Sequence, residues 1–203
     1  MARKSGSHSA TTRPRIMRAA LELFARKGYA AVTMREIAAQ AGVQAGSIYN
    51  YVDDKQALLF QLLQDHMCDL LSKKSAWMIG VTPLQQLENF VAFHIDYHIK
   101  RTELVFIAYM ELRNLTPENY AIIARLRGDY ESSLATLLRD GVGAGDFGLK
   151  DPKLGSYAII AMLTGVVNWY RPDGPLSVDE IQERYWHMVR DLVVDPAPTL
   201  AAK

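Results

Sequence analysis

Apolar residues recur every three to four positions along almost the whole chain, and no run of β-branched alternation reaches a strand's length. That period predicts an all-α fold. Ile16, Ala20, Leu23 and Phe24 share one face of a helix over 13–27, and Gly28 follows where a left-handed cap is favoured. Thr33 and Glu36 form a T-x-x-E capping box that opens a short second helix. A third short helix is expected over 44–51. Asp53 or Asp54 can cap a fourth helix running towards Met78. Further helices are expected over 83–100 and 103–115, from "TPEN" to near Gly141, over 152–170, and over 178–193. Ser177 with Glu180 caps the last of these. "GVGAGDFGLKDP" and "RPDGPLS" read as connections, punctuated by Gly and Pro. No internal repeat is present. The chain divides into a basic arm (1–12, expected disordered), a small helical head (13–53), a larger helical body (54–195) and a frayed tail (196–203).

The stretch "TMREIAAQAGVQAGSIYNYVDDK" (33–55) carries the most specific pattern. With Met34 at its first position, Ile37, Ala41, Val43, Ile48 and Tyr51 fall where two short helices bury apolar groups against each other. Ala38 falls at their crossing. Gly42 falls in the turn, where positive φ is cheap for glycine. This spacing predicts a helix-turn-helix, whose second helix enters the major groove of DNA. The face left free carries Gln44, Ala45, Gly46, Ser47, Tyr49 and Asn50. Gln and Asn can donate and accept together at a base edge, and Ala or the Ser Cβ can touch a thymine methyl. Glycine in a free-standing helix costs about 1 kcal/mol relative to alanine, so Gly46 suits close docking on the duplex. The Tyr49 hydroxyl, the Lys55 ammonium, and Thr33 and Arg35 at the start of the preceding helix suit phosphates. The plainer readings are a partly buried aromatic for Tyr49 and a solvated helix lysine for Lys55.

Charge sharpens this picture. The net charge of +1 hides a split: residues 1–60 sum to +5 and the remainder to −4. A basic third on an acidic body fits a polyanion-facing module attached to something else. The lone Cys68 excludes an internal disulfide and a multi-cysteine zinc site, and fits a reducing cytosol. No run of about 18 apolar residues exists to span a membrane. The basic N-terminus lacks the apolar core of a secretory signal.

"FARKGYAAVTMREIAAQAGVQAGSIYNYVDDKQALL" (24–59) resembles the DNA-binding head of the TetR family of transcriptional repressors. The matching features are Gly28, Tyr29 and Thr33, the "IAAQAGV" core, the Gly46-x-x-Tyr49 pair and the Lys55-x-x-Leu58 start of the next helix. Three positions depart from the family pattern. Gln44 stands where Ser or Thr usually caps the recognition helix, Val52 replaces Phe, and Asp53-Asp54 replaces Pro-Ser. The resemblance implies a ligand-responsive regulator. Its homodimer would grip a palindromic operator and release it when a small-molecule inducer enters the body, with no cofactor and no catalysis.

The body's residues agree with a dimer. "LGSYAIIAMLTGVVNW" (154–169) is apolar nearly all round, which a lone surface helix cannot sustain. Gly155, Ala158, Ala161 and Gly165 offer small spots for close helix approach, and Ile181, Tyr185, Met188 and Leu192 form a stripe on the partner helix. The resemblance also implies an inducer pocket, for which Phe93, Tyr97, Phe106, Tyr109, Met110 and Trp169 are candidate linings. An aromatic stripe at this spacing also suits an ordinary core. "YMELRNLTPE" and "NWYRPDGPLS" resemble the acyl-CoA-responsive branch of the family. That branch would need arginines at a pocket mouth, for which Arg113, Arg127 and Arg171 are candidates, with Asn168 near the acyl end. Each arginine could instead serve a surface salt bridge. His94 and His98 stand one turn apart, as pocket polar groups or as half of a metal site lacking a third ligand. Two rivals to the regulator remain: a helical enzyme working through His94, His98 and an acid such as Asp96 or Glu103, and an adaptor that keeps the head without binding DNA.

Overall fold

The computed structural model describes residues 9–194. Its α-helices are α1 (Ser9–Lys27), α2 (Met34–Ala41), α3 (Lys55–Ser72), α4 (Pro83–Ile99), α5 (Thr102–Met110), α6 (Pro117–Ala144), α7 (Pro152–Thr164) and α8 (Val178–Val193). Short 3-10 turns follow α2, α3, α5 and α7, and no strand occurs among the described residues. The expected tail over 196–203 lies outside them, as do the first eight residues of the arm. Two compact units share the chain: residues up to Asp69 with Thr102–Arg125, and Leu70–Arg101 with the stretch from Leu126 on. The first unit therefore takes in a segment that the linear reading assigned to the body.

In the first unit α1 lies against α2 and α5. Its predicted face is the core: Ile16, Ala20, Leu23 and Phe24 are buried, as are Ile37 and Ala38 of α2 and Ile48 after it. Ala38 is fully buried, so a larger side chain there would force the helices apart. The helix begins at Ser9, four residues before the expected start, so the end of the arm is ordered. Thr12 is buried, which gives this turn a packing contact that its basic composition does not announce. Gly28 closes α1 at φ +78°, with its N–H on the Phe24 carbonyl at 2.9 Å.

In the second unit α4 buries Leu87, Phe90, Val91 and Ile95 and packs on α7 and α8. Trp77 meets Phe90 edge-on at 5.0 Å. The caps follow the sequence: Thr82 with Gln85 and Pro83 at the first position, Asp151 on α7, and Ser177 with Glu180 on α8. The connection after α6 is shorter than expected, because the helix continues past Gly141 to Ala144 and turns at Gly145. Phe147 folds back onto Gly141, where an added Cβ would lie 2.0 Å from its ring. Helix α7 stops at Thr164 and tightens into a 3-10 turn through Asn168, short of the expected end.

Candidate functional site

The helix-turn-helix is assembled by short-range hydrogen bonds that the sequence spells out. The Thr33 Oγ1 accepts from the Glu36 N–H at 3.2 Å, while Glu36 Oε2 accepts from the Thr33 N–H at 2.8 Å. Lys27 Nζ reaches Glu36 Oε1 at 2.8 Å. This lysine, with the Thr33 N–H and hydroxyl, holds the Glu36 carboxyl down at about 2. At the other end of α2, Gly42 sits at φ +68°, and Val43 donates to the Ala38 carbonyl at 2.9 Å. Arg15 reaches across from α1 to bind the Ala41 carbonyl at 2.5 Å. The left-handed dihedral is what requires glycine here; a Cβ on Gly42 would stand 2.6 Å from that guanidinium, the far end of a flexible side chain that can give way.

The segment that follows differs from the expected helix over 44–51. Only Ser47–Asn50 is helical, as a single 3-10 turn. Gly46 precedes it without a side-chain cap, and Gln44 supplies none. With no oxygen to satisfy the first N–H groups, the turn tightens rather than propagating as an α-helix. Ile48, fully buried, anchors it to the head. Gln44, Ala45, Gly46, Tyr49 and Asn50 face outward and Ser47 is half-buried, so the turn presents amide, methyl, bare backbone and phenol together. Thr33 and Arg35 are exposed at the start of α2. This surface has the chemistry to read base edges and to hold phosphates.

Lys55, expected at a phosphate or in solvent, turns its ammonium onto the chain's own backbone. Its ammonium donates to the Val32 carbonyl at 2.8 Å and the Tyr29 carbonyl at 2.9 Å, and lies 4.3 Å from the Tyr29 ring centre. It ties the first turn of α3 to the loop between α1 and α2. A lysine so engaged is a poor candidate for a phosphate contact. Three other side chains of this unit escaped the sequence reading. Gln56 donates to the Asn114 carbonyl at 2.7 Å. Arg15 caps α2, as above. Glu111, nearly fully buried, accepts from the Tyr29 N–H at 3.1 Å. These partners stand 26 to 82 positions apart, and no local spacing rule could have paired them.

The ten ligand candidates divide between the units. In the first, Phe106, Tyr109, Met110 and Arg113 lie on one exposed face of α5 and the turn after it. In the second, Phe93 lies 5.6 Å from buried Tyr97, whose ring is covered by the Arg101 guanidinium at 3.9 Å. Arg127 is half-buried and Asn168 exposed. Trp169 and Arg171 border a small hollow of about 150 Å³ with Pro175 and Leu176. His94 and His98 are buried and stack face to face at 3.8 Å. His94 bonds Tyr130 Oη and Thr164 Oγ1, each at 2.9 Å, and His98 Nδ1 donates to the His94 carbonyl at 2.7 Å. Among the described residues no three His, Cys, Asp or Glu side chains converge as a metal site would require.

The outer surface of the second unit carries an apolar strip. Leu154, Tyr157, Ala158 and Ala161 are exposed along α7, and Met188 and Leu192 along α8. Two residues expected on this face turn inward: Gly155 packs against Leu149 and Leu138, and Ile181 is buried. Both complete the chain's own core.

Residues 16–62 match the family described as bacterial regulatory proteins, tetR family, and residues 80–193 match the tetracyclin repressor-like C-terminal domain. The HTH-type transcriptional repressor KstR2 of Rhodococcus jostii (strain RHA1) is 27% identical over 187 residues, which cover 91% of this chain and 92% of that protein. A crystal structure of a bacterial regulatory protein in the tetR family from Rhodococcus RHA1 superposes with a TM-score of 0.85 at 28% identity, over 91% of this chain and 97% of that one. AibR, solved in complex with isovaleryl coenzyme A and operator DNA, shares the fold at a TM-score of 0.80 and 24% identity, over 87% and 97%.

Proposed function

The chain belongs to the tetR family of bacterial regulatory proteins, hence is a transcriptional regulator rather than an enzyme, and we propose that it is a dimeric, ligand-released repressor. The outward set Gln44, Ala45, Gly46, Tyr49 and Asn50 carries this reading: an exposed polar face with a bare glycine at its centre, backed by a buried isoleucine. The apolar strip on α7 and α8 is the face that a second copy would cover. Two heads on a two-fold axis would read a palindromic operator in major grooves about 34–36 Å apart or a multiple of that. A small molecule bound in the body would favour a head spacing that no longer fits. Linkage then requires that operator DNA weaken inducer binding by the same factor. Such a regulator works in the cytoplasm, where its DNA is. Selection of duplexes from a random pool by the full-length protein, followed by a gel shift, tests the reading. Recovery of no enriched sequence would leave only the adaptor alternative.

An acyl-CoA thioester is the inducer class we favour. The likeness of "YMELRNLTPE" and "NWYRPDGPLS" to the acyl-CoA-responsive branch supports it, and so does the pairing of Trp169 with Arg171 at one hollow. A protein of the same fold holds isovaleryl coenzyme A. With a net charge of −4 over the residues after position 60, capture of the anionic CoA must be local to its arginines. Calorimetry over a panel of acyl-CoAs tests this; no binding by protein that shifts its selected duplex would remove the thioester.

A further inference from the structure

Helix α1 ends with one backbone donor that its own cap does not use. Gly28 returns its N–H to the Phe24 carbonyl, a single-bond left-handed cap, which leaves the next N–H, that of Tyr29, without a helical acceptor. A carboxylate from far along the chain takes it. Glu111 Oε1 lies 3.1 Å from the Tyr29 nitrogen and Glu111 Oε2 lies 2.5 Å from Asn114 Nδ2. Glu111 is buried, at 6% exposure, so this carboxylate is no surface charge resting where it happens to fall. It also sits 3.6 Å from where a Gly28 Cβ would stand, so the loop and the carboxylate are packed together. On the other side of the same loop, Lys55 holds the carbonyls of Tyr29 and Val32. Thr33, the next residue, begins α2.

We propose that Glu111 is a positioning residue for DNA reading: by fixing the Tyr29 N–H it sets the angle at which α2, and with it the outward turn at 44–50, leaves α1. The inference deepens the repressor reading and rests on it. Its further content is regulatory. Glu111 directly follows the α5 face bearing Phe106, Tyr109 and Met110, so a shift of the end of α5 is transmitted to the loop through one buried carboxylate. A part-buried N–H that loses a carboxylate acceptor loses more than an ordinary hydrogen bond, so releasing the loop would have a measurable cost.

The test compares full-length Glu111→Ala and Glu111→Gln with the unmodified protein, using the duplex that the unmodified protein selects. Glu111→Ala should bind that duplex roughly tenfold more weakly. Hydrogen exchange should speed up in peptides covering 28–33, while peptides of α4 keep their protection. Glu111→Gln, which retains an acceptor oxygen, should recover most of the affinity and the protection. Should Glu111→Ala fail to fold, Glu111→Asp, whose shorter reach withdraws the acceptor, takes its place with the same expectations. Unchanged affinity with unchanged exchange at 28–33 overturns the proposal, as does loss of protection spread evenly over α4. If the unmodified protein selects no duplex, the repressor reading itself falls and the positioning role falls with it.

Discussion

Lys55 Nζ stands 2.8 Å from the Val32 carbonyl oxygen, within a loop that a DNA-facing lysine would have left. Lys55→Ala should therefore act on stability first. The loss of two charge-assisted bonds at a half-buried site costs about 1–2 kcal/mol, read as a lower midpoint in urea. The salt dependence of operator binding should keep its slope, because no phosphate contact is removed. A slope shallower by about one would return Lys55 to the phosphates.

Gln44 and Tyr49 should separate by readout. Gln44→Ala should relax preference at one base pair by about 1–3 kcal/mol while sparing random DNA. Tyr49→Phe should weaken both kinds of duplex alike. Equal losses on specific and random DNA for Gln44→Ala would remove it from base recognition.

Two glycines should respond oppositely to alanine. Gly46 has right-handed helical dihedrals, φ −73° and ψ −27°, and no atom within 4 Å of an added Cβ. Gly46→Ala should raise stability by about 0.4–1 kcal/mol and still weaken operator binding, because the methyl meets the duplex instead of the protein. Gly141→Ala should destabilise by about 1–3 kcal/mol, since Phe147 already fills that space. Thermal melts with gel shifts check both.

The Glu36 carboxyl titrates at about 2, held there first by Lys27 and then by the Thr33 N–H. A carboxyl lowered on folding stabilises the native state above its unfolded value, about 4.3, and that contribution disappears as pH falls through about 2. Glu180, lowered by the Ser177 N–H, acts in the same sense. NMR titration should show Glu36 still ionised at pH 3, and Glu36→Gln should flatten that part of the acid-unfolding curve.

Leu192→Glu and Met188→Glu place charge on the exposed strip of α8 without disturbing a buried residue. If this strip is the proposed dimer interface, both should give folded monomers by light scattering, with operator binding lost at concentrations where the unmodified protein binds. A charged variant that stays dimeric would move the interface elsewhere.

Much of the head could be read from its sequence because its determinants are local. The Thr33–Glu36 box and the Gly42 turn lie within ten residues of each other, and each position has one physical use. Helix boundaries differ from the sequence expectation where the decisive contact lies elsewhere: Thr12 is buried, and α6 runs on to Ala144, where Phe147 closes over Gly141. The missing cap at Gln44 is legible as a departure from the family pattern, but a 3-10 turn in place of an α-helix depends on how the whole segment packs around Ile48. The roles of Lys55 and Glu111 were hidden for a simpler reason. Each meets a partner more than twenty positions away, and a charged residue on a helix looks the same in sequence whether it faces solvent or a carbonyl. The aromatic ligand candidates rest on helical spacing within an implied pocket, and that spacing cannot tell a wall from an outer face: Phe106, Tyr109, Met110 and Trp169 are exposed.

The proposed reading surface, wound into four residues of 3-10 coil, has few internal bonds of its own. Seating it on a duplex must therefore complete its ordering as well as bury it. Association should then grow steeply more exothermic with temperature, with a larger negative heat-capacity change than rigid docking of the same area would give. A side chain at position 44 that wound the coil in advance would trade that thermal sensitivity for tighter hold.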